Sequence, residues 1–296
     1  MNPELTDHLQ QISKRYVRVS DKYLRFLSLM LKNEAFLDAY PNVTSDFVVN
    51  LPRTLEGKPF IPTPEGMPSD HHLSVSHQFP FAGVATMSDS EVKLGLDIVV
   101  FDEYNRELYK SELDYVKVFR NSFTENEWDS ILANRGNELR EMYLRWSIKE
   151  AYTKALGVGM GLDFNSFETC LDGVDSLWNM VRNRQSGVYV NGLIKRLDKD
   201  QFEFWNFFFL TLVSDDKTGY ACICAGPKTN EEIELSVHTV WTPFNDFIDP
   251  CQARIKVSMD SEMQALNPSK DGENDKIPSK STLSPRSNSP NKVASR

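Results

Sequence analysis

Trp146-Ser147-Ile148-Lys149-Glu150-Ala151-Tyr152-Thr153-Lys154 is the stretch that decides how this chain is read. As a helix it places Trp146, Glu150 and Lys154 four residues apart on one face, so a carboxylate lies one turn from an ammonium with an indole behind it. The helix is predicted from about Glu138 to Leu156, because Gly157 suits the left-handed backbone that follows a helix end. Well upstream, Val92 to Ile98 alternates as a strand, with Val92, Leu94, Leu96 and Ile98 on one face and Lys93, Gly95 and Asp97 on the other. Asp97 and Glu150 are hard oxygen donors. A strand carboxylate facing a helix carboxylate suits Mg²⁺, which takes one or two carboxylates and fills its octahedron with water and phosphate oxygens. Spacing alone favours a plainer arrangement, in which Asp97 ends a strand and Glu150 pairs with Lys154 on a solvated face.

The 296 residues are 40% hydrophobic and 11% aromatic, enough for a real core and for two domains or one large one. A net charge of -9 argues against a general binder of nucleic acid or anionic membranes, which needs clustered Lys and Arg. The longest apolar run, Phe202 to Val213, is interrupted by Glu203 and Asn206 and falls short of the roughly 20 residues a membrane helix needs. The first residues carry neither a basic nor an apolar leader region, so a cytoplasmic location is expected. Cys170, Cys222, Cys224 and Cys251 form no C-x-x-C pair and read as reduced thiols, with Cys222 and Cys224 on one side of a strand.

Apolar residues recurring at three and four between Pro3 and Leu31 predict one amphipathic helix or two in series. Pro41 to Ser69 holds five prolines after the first and reads as a loop with short strands. Two later segments share a layout of strand, polar turn and strand: Phe81–Met87 with Val92–Leu96, and Phe204–Val213 with Gly219–Ala225. One helix and one Ser-Asp hairpin, occurring twice, suggest two lobes of similar α+β build. Beyond Phe247 there is no aromatic residue, and 267–296 is too polar to offset the entropy of ordering, so a disordered tail is expected.

W-x-x-K-E-A-x-x-K at 146–154, with Gly95-Leu96-Asp97-Ile98 upstream and Ser76-His77 between two aliphatic runs, resembles the 4'-phosphopantetheinyl transferases. It is most similar to the single-chain eukaryotic branch associated with aminoadipate reductase in lysine synthesis. The resemblance implies an α+β fold of two similar lobes in pseudo-twofold arrangement, each an antiparallel sheet packed with a long helix. The corresponding division is an N-terminal lobe 1–100, a C-terminal lobe 101–229, an extension 230–266 and the tail. It spans 53–161 well, the second hairpin loosely and Trp241 to Phe247 faintly.

The resemblance also implies site roles. Asp97 and Glu150 hold Mg²⁺, and Lys154 steadies the leaving phosphate. Ser76 and His77 match the N-x-S-H element that contacts coenzyme A phosphates, with Ser74 in place of its Asn. Gly57-Lys58-Pro59 resembles the G-K-P element near the nucleotide end of coenzyme A, where Lys58 and Arg53 meet phosphate; Lys149 is assigned to phosphate or to packing. Where the commoner G-x-D-x-E has a second carboxylate this chain has Val99, and Gln78 is the candidate neutral ligand instead. Glu150 is the candidate base, Trp146 is read as core, and 101–123 as core or a protein-binding flap. The implied reaction moves the phosphopantetheine arm of coenzyme A to a serine of apo carriers, in aminoadipate reductase, fatty acid synthase or peptide synthetases, by a monomer. Two other readings stand beside it. One is a non-catalytic coenzyme A or carrier-binding module; the other is a magnesium enzyme of another nucleotide, although Gly157-Val158-Gly159-Met160-Gly161 lacks the Lys-Ser or Lys-Thr of a Walker loop.

Overall fold

A computed structural model describes residues 10, 14–41, 51–65, 71–89, 91–101, 107–171, 173–182, 184, 187–199, 201–214 and 217–228. In order they form α1 (Val19–Ala39), β1 (His71–Gln78), β2 (Phe81–Ser88), β3 (Lys93–Val100), α2 (Glu112–Val116), α3 (Glu125–Ala133) and α4 (Glu138–Leu156). There follow β4 (Phe167–Leu171), α5 (Leu177–Val181), β5 (Val188–Arg196), β6 (Gln201–Val213) and β7 (Thr218–Lys228). The fold is α+β with antiparallel sheets. The described residues all fall within one compact unit. The expected extension 230–266, the tail, Trp241 to Phe247 and Cys251 lie outside the described residues.

Five strands in the order β3-β7-β6-β5-β4 make one sheet, and β1 with β2 makes another. One face of the five-stranded sheet carries Val190, Ile194, Trp205, Phe207, Phe209, Cys222 and Cys224, which pack with Leu144, Ile148, Ala151 and Tyr152 of α4. Each fully buried side chain of this size contributes roughly 2 to 3 kcal/mol. The opposite face, at Leu96, Ile98, Leu212 and Ala221, is covered by Phe81 and Ala85 of β2. Because both faces are covered, β3 is buried at every residue except Lys93, and Asp97 does not lie on a solvated face.

Helix α4 has the boundaries its sequence predicts, and Gly157 closes it at φ 82°. Twelve of its 19 residues are buried, and Tyr143, Trp146, Glu150 and Lys154 belong to the stripe that stays partly open. Helix α1 runs further than expected, to Ala39, because Ala35 and Phe36 prolong its buried face against Leu73. It stops at Tyr40, where Pro41 disfavours helical backbone in the residue before it.

The first expected hairpin needs correction. β2 pairs with β1 throughout, from His71↔Ser88 to Gln78↔Phe81, and β3 pairs with β7, from Lys93↔Gly226 to Val100↔Gly219. The second, β6 with β7, forms as expected. The reason lies in the two edges of β3. One is taken by β7; along the other, Leu96 N donates to Ser74 Oγ at 2.9 Å, Ile98 N to Ser76 Oγ at 3.1 Å and Val100 N to Gln78 Oε1 at 2.9 Å. The offset is 22 residues each time. Alternate side chains of β1 therefore act as rungs on the outward amides of β3, joining the strands side by side without a backbone ladder. The boundary expected near Val100 falls at the end of this doubly held strand.

Candidate active site

Gly95 allows β3 to lie directly on α4. A Cβ there would fall on the carbonyl oxygen of Ala151 and 2.7 Å from the nitrogen of Ala155. Two residues on, Asp97 meets the last turn of the helix. Lys154 Nζ stands 2.6 Å from Asp97 Oδ1 and 3.0 Å from Ser76 Oγ, and Ser76 Oγ donates to the same Asp97 oxygen at 3.2 Å. Asp97 is 6% exposed. β1, β3 and α4 thus converge on one carboxylate oxygen.

Glu150 stands half-buried beside this group, and its carboxylate has no hydrogen-bond or ion-pair partner among the described residues. Burial raises its carboxyl above the usual range, the charge of Asp97 raises it further, and Lys154 opposes both. The two carboxylates are close enough to feel each other. Two hard oxygen donors whose mutual repulsion a cation would relieve are the donor set that suits Mg²⁺. No group of three or more His, Cys, Asp or Glu that could hold a metal ion gathers among the described residues. Val99 is in the core at 4% exposure, packed with α4, and supplies nothing. Gln78 Oε1 accepts from Val100 N, which leaves one lone pair for a further contact.

The geometry bears on four expected roles. Ser76 has its single O–H on Asp97 and both acceptor positions filled by Ile98 N and Lys154 Nζ, so it has no donor left for a phosphate. Lys149 is fully buried, with Nζ 2.7 Å from Phe164 O, 2.8 Å from Phe167 O and 2.9 Å from Glu127 Oε2, and is a packing residue rather than a phosphate contact. Burial pushes its ammonium down while Glu127 pulls it up. Lys58 Nζ lies 2.8 Å from Leu94 O and 3.0 Å from Ala155 O, strapping the loop at 51–60 to β3 and to the end of α4; burial, then Lys93, lowers it to about 8. His77 is exposed by area, yet partial burial of its ring, then Lys154 and Arg25, lower its pKa, so the protein's own groups favour the neutral ring. A bound phosphate would act the other way. Arg53, on the surface, donates from Nη1 to Gly57 O at 2.6 Å.

The sequence reading passed over Arg25 and Lys32, which α1 brings toward His77 and Arg53. Their spacing of seven, one helical face, was the available signal. Trp146 packs as expected, its ring 4.9 Å from Phe164 and 5.3 Å from Phe119. In 101–123, Val116 and Phe123 are core, while Leu108 and Val118 are exposed.

Residues 93–218 match the family described as the 4'-phosphopantetheinyl transferase superfamily. A phosphopantetheinyl transferase of Thraustochytrium sp. is 34% identical over 130 residues, 42% of this chain and 43% of the relative. The L-aminoadipate-semialdehyde dehydrogenase-phosphopantetheinyl transferase of Xenopus laevis is 34% identical over 123 residues, 40% of this chain and 38% of the relative. A 4'-phosphopantetheinyl transferase of Aneurinibacillus migulanus is 26% identical over 168 residues, 56% of this chain and 62% of the relative. The chain thus spans about two fifths of the length of the first two relatives. The resemblance carried by the motifs is shown over that segment, which begins at β3, contains Asp97, Glu150 and Lys154, and ends as β7 begins.

Proposed function

We propose that this chain is a 4'-phosphopantetheinyl transferase, moving the phosphopantetheine arm of coenzyme A to a serine of an apo carrier protein and releasing adenosine 3',5'-bisphosphate. The observation that carries the reading is the meeting of Asp97 Oδ1 and Lys154 Nζ at 2.6 Å, with Glu150 beside them, inside the matched segment. On this reading α1 with β1 and β2 belongs to one lobe of the pseudo-twofold pair and α4 with β4–β7 to the other. The protein works as a cytoplasmic monomer on carriers of aminoadipate reductase, fatty acid synthase or peptide synthetases.

Asp97 and Glu150, with Gln78 as a neutral donor, are the residues that would hold Mg²⁺, which when bound neutralises pyrophosphate charge. The carrier hydroxyl oxygen bonds to the pantetheine-side phosphorus while the bridging P–O bond breaks, and the electron pair leaves with the adenosine bisphosphate. Glu150, whose carboxyl burial and then the charge of Asp97 raise above its ordinary range, takes the hydroxyl proton. Lys154 has one N–H beyond those on Asp97 and Ser76, and offers it to the leaving phosphate. Ser76 acts through Asp97, holding the shared oxygen in place.

Val99, apolar where a second strand carboxylate is common, favours one alternative, a coenzyme A or carrier-binding module without turnover. An apo carrier incubated with coenzyme A, Mg²⁺ and this protein distinguishes the two. The carrier should gain the mass of one phosphopantetheine; unchanged mass across aminoadipate reductase, fatty acid synthase and peptide synthetase carriers rejects the transferase reading.

A further inference from the structure

The face of the five-stranded sheet turned away from α4 is covered over only part of its width. At Leu96, Ile98, Leu212 and Ala221, Phe81 and Ala85 of β2 lie on it. Further across, alternation along β5 and β6 sets Tyr189, Leu193 and Lys195 on that face beside their register partners Phe208, Phe204 and Phe202. Tyr189, Phe202 and Phe204 are 50%, 55% and 52% exposed, although large aromatic rings gain most from being covered. Asn206, in the middle of the same row, is 6% exposed, and its side-chain amide has no hydrogen-bond partner among the described residues. Adjacent bare rings with an unanswered amide between them point to a surface built to receive another segment.

β7 ends at Lys228, whose register partner is Phe204, so the chain that follows sets out from beside this strip. Its sequence there is Glu231-Glu232-Ile233-Glu234-Leu235-Ser236-Val237. In an extended segment Glu231, Ile233, Leu235 and Val237 share one side, and Glu232, Glu234 and Ser236 the other. Residues 229–232 reach about 13 Å when extended, enough to turn back over Phe204. We propose that residues 231–237 lie extended across the open half of this face, with Ile233, Leu235 and Val237 on the rings of Phe202, Phe204 and Tyr189. Glu231 then meets Lys195, whose ammonium stands 5.5 Å over the Phe202 ring. A side-chain amide matches a peptide group donor for acceptor, so an extended backbone answers Asn206 where a helix, its peptide groups already paired, does not. The chain thereby closes this half of the sheet with its own continuation, as β2 closes the other half, whether or not the transferase reading holds.

The test uses the full chain with Phe204 replaced by the photo-cross-linking residue benzoylphenylalanine, irradiated at two protein concentrations, digested and read by mass spectrometry. The cross-link should join position 204 to residues 231–237 of the same chain, in equal yield at both concentrations. In thermal denaturation of the full chain, Phe204→Ala and Leu235→Ala should each lower Tm by about 3 °C or more. The double variant should lose clearly less than their sum, because both remove one shared contact. Lys195→Glu should also lower Tm, and adding Glu231→Lys should restore it. The inference is overturned if the cross-link joins two copies of the chain and grows with concentration, or if it lands elsewhere in the sequence. It is overturned equally if no cross-link forms and the two losses in Tm simply add; losses that fall short of their sum support it even without a cross-link.

Discussion

Lys149 and Lys154 sit on one helix, five residues apart, each beside a carboxylate, yet their surroundings differ in kind. Around Lys149 every group is satisfied. Glu127 accepts from Lys149, from Thr124 N and Oγ1 on one oxygen and from Thr169 N and Oγ1 on the other, at 1% exposure. Around Lys154 the balance is left open: the Glu150 carboxylate has no partner among the described residues, and the lysine side chain is 29% exposed. The first arrangement joins α3, α4 and β4; the second can exchange partners when an anion or cation arrives. Saturation marks a structural ion pair, and incomplete saturation at a partly open group marks a chemical one.

Lys149→Met should cost about 3 to 5 kcal/mol in urea denaturation, since it leaves Glu127 buried and charged without its cation. Adding Glu127→Gln should recover most of that loss, because the amide oxygen still accepts from Thr169. If instead Lys149→Met folds normally and loses only turnover, the contrast between the two lysines is reversed. Asp97→Asn and Glu150→Gln should lower turnover by on the order of a hundredfold, with melting temperatures near that of wild type. Near-normal rates in either would remove that residue from the reacting group.

Ser74→Ala tests the rungs between β1 and β3. It strands the Leu96 amide and should cost about 1 to 2 kcal/mol, with Ser74→Asn restoring the bond; equal stability of all three proteins would show the rung carries no energy. The smallest effect concerns pH. Lys32, which burial above all lowers to about 8 in the fold from 10.5 ordinarily, carries the full cost of its buried charge below pH 8. Between the two values the folded state binds fewer protons than the unfolded, and this group's penalty fades as pH rises. The stability advantage of Lys32→Met should therefore be greatest below pH 8 and vanish near 10.5. A difference that is flat with pH would mean Lys32 is not burdened by burial.

Both ends of α4 were legible because Gly157 and the polar start at Glu138 are local signals. The β6–β7 hairpin was legible for the same reason, a short polar turn between two apolar strands. The partner of β2 was not: alternation assigns side chains to faces but does not choose which strand lies alongside, and that choice was made by side chains on β1. At the site, spacing favoured a solvated face over a metal pair for Asp97 and Glu150, and only the resemblance reversed that preference. The fates of Lys58 and Lys149 were hidden because a lysine's stem can bury itself while its ammonium finds a carbonyl or a carboxylate far away in sequence.

The rungs on β3 bear on how the molecule keeps to itself. An edge strand with unanswered amides is a template onto which a stranger's strand can add, the first step toward fibres. Here Leu96, Ile98 and Val100 have already spent theirs on two hydroxyls and an amide oxygen. That margin of the sheet is sealed from within, by groups too short to propagate the pattern to a neighbour.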